Sequence, residues 1–167
     1  FGTILNAAMG VANQLSGMLM TFSNSMTKAL SPVIVKSAGS GDKDMMIKSS
    51  LIGSKYSYYL LAFFAIPFIF EMPMILKLWL KNIPDWAILF CQLQLIRSLF
   101  EGISGYVPTM VNATGKIKGM SISKGVLFIL PLLLSFLSFY FKGSPYWLYI
   151  WWIICWGILN SFVSLYY

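Results

Sequence analysis

The sequence predicts an all-α membrane protein with five transmembrane helices, and three observations carry that expectation. The chain is 58% hydrophobic and only 10% charged, against about 25% charged for a water-soluble domain, and its mean hydropathy is +0.75. Most of its surface must therefore meet something other than water. Its 167 residues divide into long apolar or amphipathic stretches separated by short runs of Gly, Pro, Ser and Lys. At about 20 residues per crossing, roughly five spans fit. The same composition excludes a disordered tail and a DNA-binding domain. Cys91 and Cys155 are the only cysteines and lie inside apolar runs, which excludes a secreted disulfide scaffold. Opening at Phe1 without a basic stretch leading into an apolar one, the chain carries no signal-peptide pattern and is expected to be part of a longer protein.

The first helix is expected over residues 1–35. Asn6, Asn13, Gln14 and Asn24 interrupt it, but at 100° per residue the polar positions fall into one stripe. That stripe is Asn6, Gly10, Asn13, Gly17, Thr21, Asn24 and Lys28, with Val11, Leu15, Met18, Leu19, Phe22 and Met26 opposite, the pattern of an amphipathic membrane helix. Pro32 and the run from Ser37 to Asp44, with Gly39 and Gly41, predict a polar loop. A second helix is expected over 45–71, with Asp44 as its cap and a kink at Pro67, which membranes tolerate.

Residues 74–80, bracketed by Glu71, Pro73, Lys77, Lys81 and Pro84, are too few to span and are expected to lie at the interface. A third helix is expected over 85–113 and a fourth over 121–141, with Pro131 inside it. After Lys142-Gly143-Ser144-Pro145, an uncharged fifth is expected over 146–167.

Lysines set the expected orientation, since short basic loops stay cytoplasmic. The regions around the loops after helices one and three carry Lys28, Lys36, Lys43, Lys48, Lys55, Lys116, Lys118 and Lys124; the opposite side carries Lys77, Lys81 and Lys142. Helix one then runs inward. The aromatic cluster from Phe139 to Trp152 falls at the outer interface, where aromatic belts form. The net charge of +7 sits on cytoplasmic loops facing anionic lipid headgroups, so no nucleic-acid partner is expected.

Arg97 and Glu101 stand one turn apart near the middle of helix three, within about 5 Å of the bilayer midplane at 1.5 Å per residue. Charges at that depth cost a few kcal/mol and need a partner or water. Gln94, Ser104, Gly105, Pro108 and Asn112 share their face at helical spacing. Two readings stand: a polar cavity through the bundle, or a self-neutralised pair that holds helices together. The candidate cavity residues are Arg97, Glu101, Gln94, Asn112, Asn6, Asn13, Asn24 and Lys28.

Several apparent motifs fail. Ala113-Thr114-Gly115-Lys116 lacks the earlier Gly and the following Ser or Thr of a phosphate loop. Asn112-Ala113-Thr114 matches a glycosylation acceptor but lies at the cytoplasmic end of a helix. Asp42 and Asp44 beside Lys43 read as a helix cap rather than a metal site. Without His, no His-based triad or zinc site is available. No metal, cofactor or enzymatic activity is expected.

In chain order, Phe1-Gly2, Asn6-Ala7-Ala8, Gly10-Val11-Ala12-Asn13-Gln14, Leu30-Ser31-Pro32, Gly53-Ser54-Lys55, Ala65-Ile66-Pro67, Leu78-Trp79-Leu80, Ile83-Pro84, Ser104-Gly105 and Ala113-Thr114-Gly115-Lys116 resemble the bacterial polysaccharide flippases. These are the O-antigen type, moving lipid-linked oligosaccharides, within the multidrug/oligosaccharidyl-lipid/polysaccharide exporter superfamily. The order and spacing carry the resemblance, which covers nearly the whole chain. It departs where Tyr106-Val107-Pro108 follows Ser104-Gly105 in place of a direct Pro.

The resemblance implies the last five helices of a twelve-helix, two-lobe transporter of the bacterial cytoplasmic membrane, residues 1–167 being part of the C-terminal lobe. It implies an undecaprenyl-diphosphate oligosaccharide as substrate, with membrane lipids and a coupling proton or sodium ion as further partners. Arg97 would pair with diphosphate, Asn6, Asn13, Asn24, Gln94 and Asn112 would bond sugars, and Glu101 would respond to the coupling ion. The alternatives are a multidrug cation antiporter, which wants an acidic cavity, a membrane polysaccharide polymerase, which wants a large external loop, and a non-transporting assembly subunit.

Overall fold

A computed structural model describes residues 2–103, 105–115, 117–141 and 143–166, the side chains of Met26, Thr27 and Leu165 excepted. Phe1, Ser104, Lys116 and Lys142, and the side chain of Met26, lie outside the described residues. The described chain is helical, with α1 at Thr3–Gly39, α2 at Lys43–Phe70, α3 at Met72–Trp79, α4 at Ala87–Gly102, α5 at Val107–Thr114 and α6 at Lys118–Tyr140. Then α7 at Trp147–Trp152, a π-helical segment at Ile153–Leu159 and α8 at Asn160–Tyr166 form one C-terminal helix. No strand occurs among the described residues.

Three helices among the described residues are long and apolar enough to cross a membrane: α2, α6 and Trp147–Ser164. The pair α4 and α5, bent by 43°, meets the same test when taken together. The surface agrees with that character. Along α6, Ile122, Val126, Ile129, Leu132, Leu133, Phe136 and Leu137 are all exposed, a contiguous apolar face of the kind that marks contact with lipid or another apolar surface.

The 37-residue α1 is about 55 Å long at 1.5 Å per residue, well beyond the roughly 30 Å hydrocarbon core. It runs through Pro32, four residues further than its expected end. It stops where Gly41 takes φ +76°, letting the Gly41 N–H bond Ala38 O and the Asp42 N–H bond Ser37 O, the paired closure that a left-handed residue permits. Asp42, not Asp44, caps α2: its Oδ1 accepts from the Met45 N–H at 3.0 Å. Asp44 lies in the first turn, beside the partial positive charge of the helix end.

On α1 every member of the polar stripe, from Asn6 to Lys28, is exposed, while Ala8, Ala12, Leu15, Ser16 and Leu19 are buried. The small residues Ala8, Ala12 and Ser16 allow close approach, and Ser16 Oγ meets Ser98 Oγ of α4 at 2.9 Å. Met18 and Phe22, on the apolar side, are half exposed.

The expected third helix is instead two. Gly102, Gly105 and Pro108 interrupt it, because Pro108 has no N–H to donate and its ring crowds the preceding turn. Tyr106 fastens the interruption to α2: it is fully buried, its hydroxyl accepts from Ser57 Oγ at 3.4 Å, and its N–H donates to Ser54 Oγ at 3.3 Å.

The short α3 buries Met72 and Leu76 against the core. At the α1–α2 turn, Ile34, Ala38 and Met46 cluster with Met110 and Ala113 of α5. That end is therefore shared with the link into α6. The α1 N-terminus meets Pro84, Asp85 and Pro145 at the opposite end.

Candidate functional site

The helix that carries the charges, α4, runs beside the C-terminal helix in the same direction. Phe90 meets Tyr149 with ring centroids 4.9 Å apart. Further along, the Arg97 guanidinium lies over the Trp152 ring at 5.1 Å, Trp156 Nε1 donates to Glu101 Oε1 at 2.9 Å, and Ser161 Oγ donates to Phe100 O at 3.0 Å. Gly157 permits this approach, since a Cβ there would sit 2.9 Å from Phe100 Cβ. Trp156 and Gly157 both belong to the π-helical segment, a helix form common at functional sites.

Arg97 Nη2 reaches Glu101 Oε2 at 3.4 Å, both side chains keeping about a quarter of their surface exposed. The pair is thus real, but it is not alone. Glu101 accepts from both Arg97 and Trp156, and Arg97 gains the face of an indole. Neither charge stands bare in apolar surroundings.

Glu101 also lines a partly open cavity of about 210 Å³ between α1, α2, α4, α5, α6 and the C-terminal helix. Its other polar members are Ser23, Asn24, Ser57, Lys124, Trp156 and Asn160. Asn160 is buried in the cavity wall, its Oδ1 without a partner among the described residues. Phe128, one turn beyond Lys124, stands edge-on to Trp152 and Trp156 at 5.3 and 5.5 Å and fixes how α6 sits over the site.

Of the residues expected from sequence, Glu101 and Asn24 meet in this cavity, and Arg97 joins it through its bond to Glu101. Gln94 is buried on α4, its Oε1 without a partner among the described residues. Asn6 lines another, largely apolar cavity of about 540 Å³ with Leu5, Met9, Phe90, Leu148 and Tyr149. Asn13 and Lys28 are exposed on α1, and Asn112 is exposed on α5, beyond the helix interruption.

Lys124, Trp156 and Asn160 are cavity residues that the sequence reading did not single out. Lys124 counted there as a loop lysine, whereas it stands in the second turn of α6. Its four-residue spacing to Phe128 on a helix face was the available signal.

The fold and site define a helical chain with helices long and apolar enough to cross a membrane, and a small polar cavity between helices. No family model, curated protein or solved structure matches the chain.

Proposed function

We propose that the chain forms the last five spans of a twelve-helix, two-lobe flippase that carries an undecaprenyl-diphosphate-linked oligosaccharide across the bacterial cytoplasmic membrane by alternating access. The observation that carries this reading is the cavity holding Glu101, Lys124, Asn24, Asn160 and Trp156 inside a bundle whose outer faces are apolar. A sugar diphosphate cannot cross hydrocarbon unaided, because its polar and charged groups would lose their water. Amides and hydroxyls on a cavity wall replace those hydrogen bonds, an indole offers an apolar face to a sugar ring, and Lys124 and Arg97 offset the diphosphate charge. The exposed polar stripe of α1 from Asn6 to Lys28 supplies a longer track facing the other lobe. A coupling proton or sodium ion would act at Glu101.

The charge pattern favours this reading over a cation antiporter. Glu101 already receives Arg97 and Trp156 and shares its cavity with Lys124, so an organic cation would meet net positive charge. The test is a reconstituted flipping assay: the complete protein in vesicles carrying a fluorescent lipid-diphosphate oligosaccharide, read by an impermeant quencher. Faster equilibration between leaflets, slowed at least tenfold by Lys124→Gln, supports the proposal. No acceleration, or proton-driven efflux of an organic cation instead, overturns it.

A further inference from the structure

The outer face of α2 carries two cations that no acid of this chain answers. At 100° per residue, Lys48, Lys55, Tyr59, Phe63, Ile66 and Phe70 fall within an arc of about 80°, and all six are exposed. Ser50, Gly53, Ser57 and Leu61, on the opposite side, are buried. Lys48 and Lys55 stand about 10 Å apart along the axis, and Tyr59 to Phe70 covers about 16 Å, the depth of one leaflet in a hydrocarbon core roughly 30 Å thick. Lys55 Nζ lies 5.7 Å from the centroid of the Tyr59 ring, one turn nearer the apolar end. Snorkelling carries an ammonium towards water, whereas here the ring keeps it at the boundary of the apolar run. The chain has five acidic residues. Asp42 caps α2, and Asp44, one turn before Lys48, lies about 16 Å from Lys55 along the helix. Glu71 ends α2, Asp85 lies at the α1 N-terminal end, and Glu101 holds Arg97 in the one ion pair among the described residues.

We propose that this face binds an anionic phospholipid of the leaflet at the α1–α2 turn, its phosphate held between Lys48, Lys55 and the Tyr59 hydroxyl and its acyl chains laid along Phe63, Ile66 and Phe70. Charge complementarity selects the occupant. Two unpaired ammonium groups beside a membrane-crossing stretch attract anionic headgroups, and a tyrosine at the joint sits at headgroup level with a hydroxyl to donate. A zwitterionic lipid brings its own cation to the lysines, and a free phosphate has nothing to lay along the three apolar side chains. Cation, phenol and apolar run follow one another in the order of phosphate, glycerol and chain. The site depends on α2, which is long and apolar enough to cross a membrane, and is independent of the transported substrate and of which side the turn faces.

Native mass spectrometry of the full chain, released from nanodiscs of equal dioleoyl phosphatidylglycerol and dioleoyl phosphatidylcholine, reads which lipid stays bound. The parental chain should retain phosphatidylglycerol several-fold over phosphatidylcholine, and Lys48→Gln with Lys55→Gln should abolish that preference. Lys36→Gln with Lys43→Gln is the control, because it takes the same charge from exposed positions at the same end of the bundle but off this face, and it should keep the preference. Melting temperature in detergent gives a second reading, since a ligand that binds only the folded chain stabilises it. Phosphatidylglycerol should raise it for the parental and control chains and not for the Lys48 and Lys55 variant, whose unchanged melting in phosphatidylcholine shows that it is folded. Equal loss of preference in both double variants would assign the attraction to net charge, and equal retention of the two lipids by the parental chain would mean that neutral lipid or protein covers the face. Displacement of the bound lipid by excess glycerol phosphate would assign the lysines to a free phosphate. Each of these three outcomes overturns the proposal.

Discussion

Trp156 holds Glu101 by an indole N–H at 2.9 Å, so a carboxylate on α4 is tied to the π-helical segment of the last helix. Arg97 takes the other carboxylate oxygen at 3.4 Å, and its guanidinium rests on Trp152, one turn before Trp156. Two charges of α4 are therefore read by two tryptophans of a single neighbouring helix. The acid can act as a switchable group only by changing what that helix holds.

Trp156→Phe isolates the indole bond, because the ring remains to meet Phe128 at 5.5 Å while the donor is lost. Stability should fall by about 1.5–3 kcal/mol, the range for hydrogen bonds to charged groups, measured by denaturant unfolding in detergent. Glu101→Gln should cost less in the Trp156→Phe background than in the parental chain, since the indole bond is already gone and only the Arg97 contact remains to be lost. Additive losses would show that the indole and the carboxylate act independently.

A second prediction concerns sidedness. The α1–α2 turn and α5 pack together, and the loop before Tyr146 lies at the other end. Cysteines at Ser40 and Lys118, in a chain lacking Cys91 and Cys155, should react with an impermeant thiol reagent from the cytoplasmic side, and one at Pro145 from the outer side. Labelling of Ser40 and Pro145 from the same side would defeat the assignment.

Helical character and the α1 stripe were legible because periodicity reports which face a helix buries, and all seven polar positions from Asn6 to Lys28 are exposed as one set. The Arg97–Glu101 contact was legible from four-residue spacing. Other features depend on partners distant in sequence. Gly102, Gly105 and Pro108 are each visible, but the split of one helix into α4 and α5 is held by Tyr106 against Ser54 and Ser57, some fifty residues earlier. The π-helical segment has no composition signal, and its register follows from Gly157 against Phe100. Lys124 and Asn160 became cavity residues only once α6 was set on the C-terminal helix and that helix on α4.

Gly53 tests that long-range fastening. A Cβ at this position would stand 2.9 Å from the Tyr106 ring and 3.0 Å from Leu30. Gly53→Ala should therefore cost about 1–3 kcal/mol by overpacking, although Ala favours helix over Gly by about 1 kcal/mol at an open site. Gly10, where nothing approaches, is the control, and Gly10→Ala should be neutral or stabilising. Equal responses in thermal unfolding would show that Tyr106 does not press on α2.

The last prediction separates a structural pair from a working one. Arg97→Leu alone leaves Glu101 with the Trp156 bond but without its cation, and Glu101→Leu alone leaves Arg97 with only the Trp152 face. Removing one partner of a buried pair is strongly destabilising, whereas replacing both by apolar residues is often neutral. Each single change should therefore lower expression and melting temperature, and the double change Arg97→Leu with Glu101→Leu should recover both. Transport then decides. If the pair only joins α4 to the last helix, the double variant is folded and flips lipid-linked sugar at the parental rate. If Glu101 and its cavity act on substrate or coupling ion, the double variant is folded and inactive, because recovered packing restores neither the carboxylate nor the guanidinium. Arg97→Lys refines the second outcome: it keeps the charge but not the planar fork or its stacking on Trp152, so activity should be reduced rather than lost. The flippase reading expects the folded, inactive double variant, and a fully active one would assign the pair to packing.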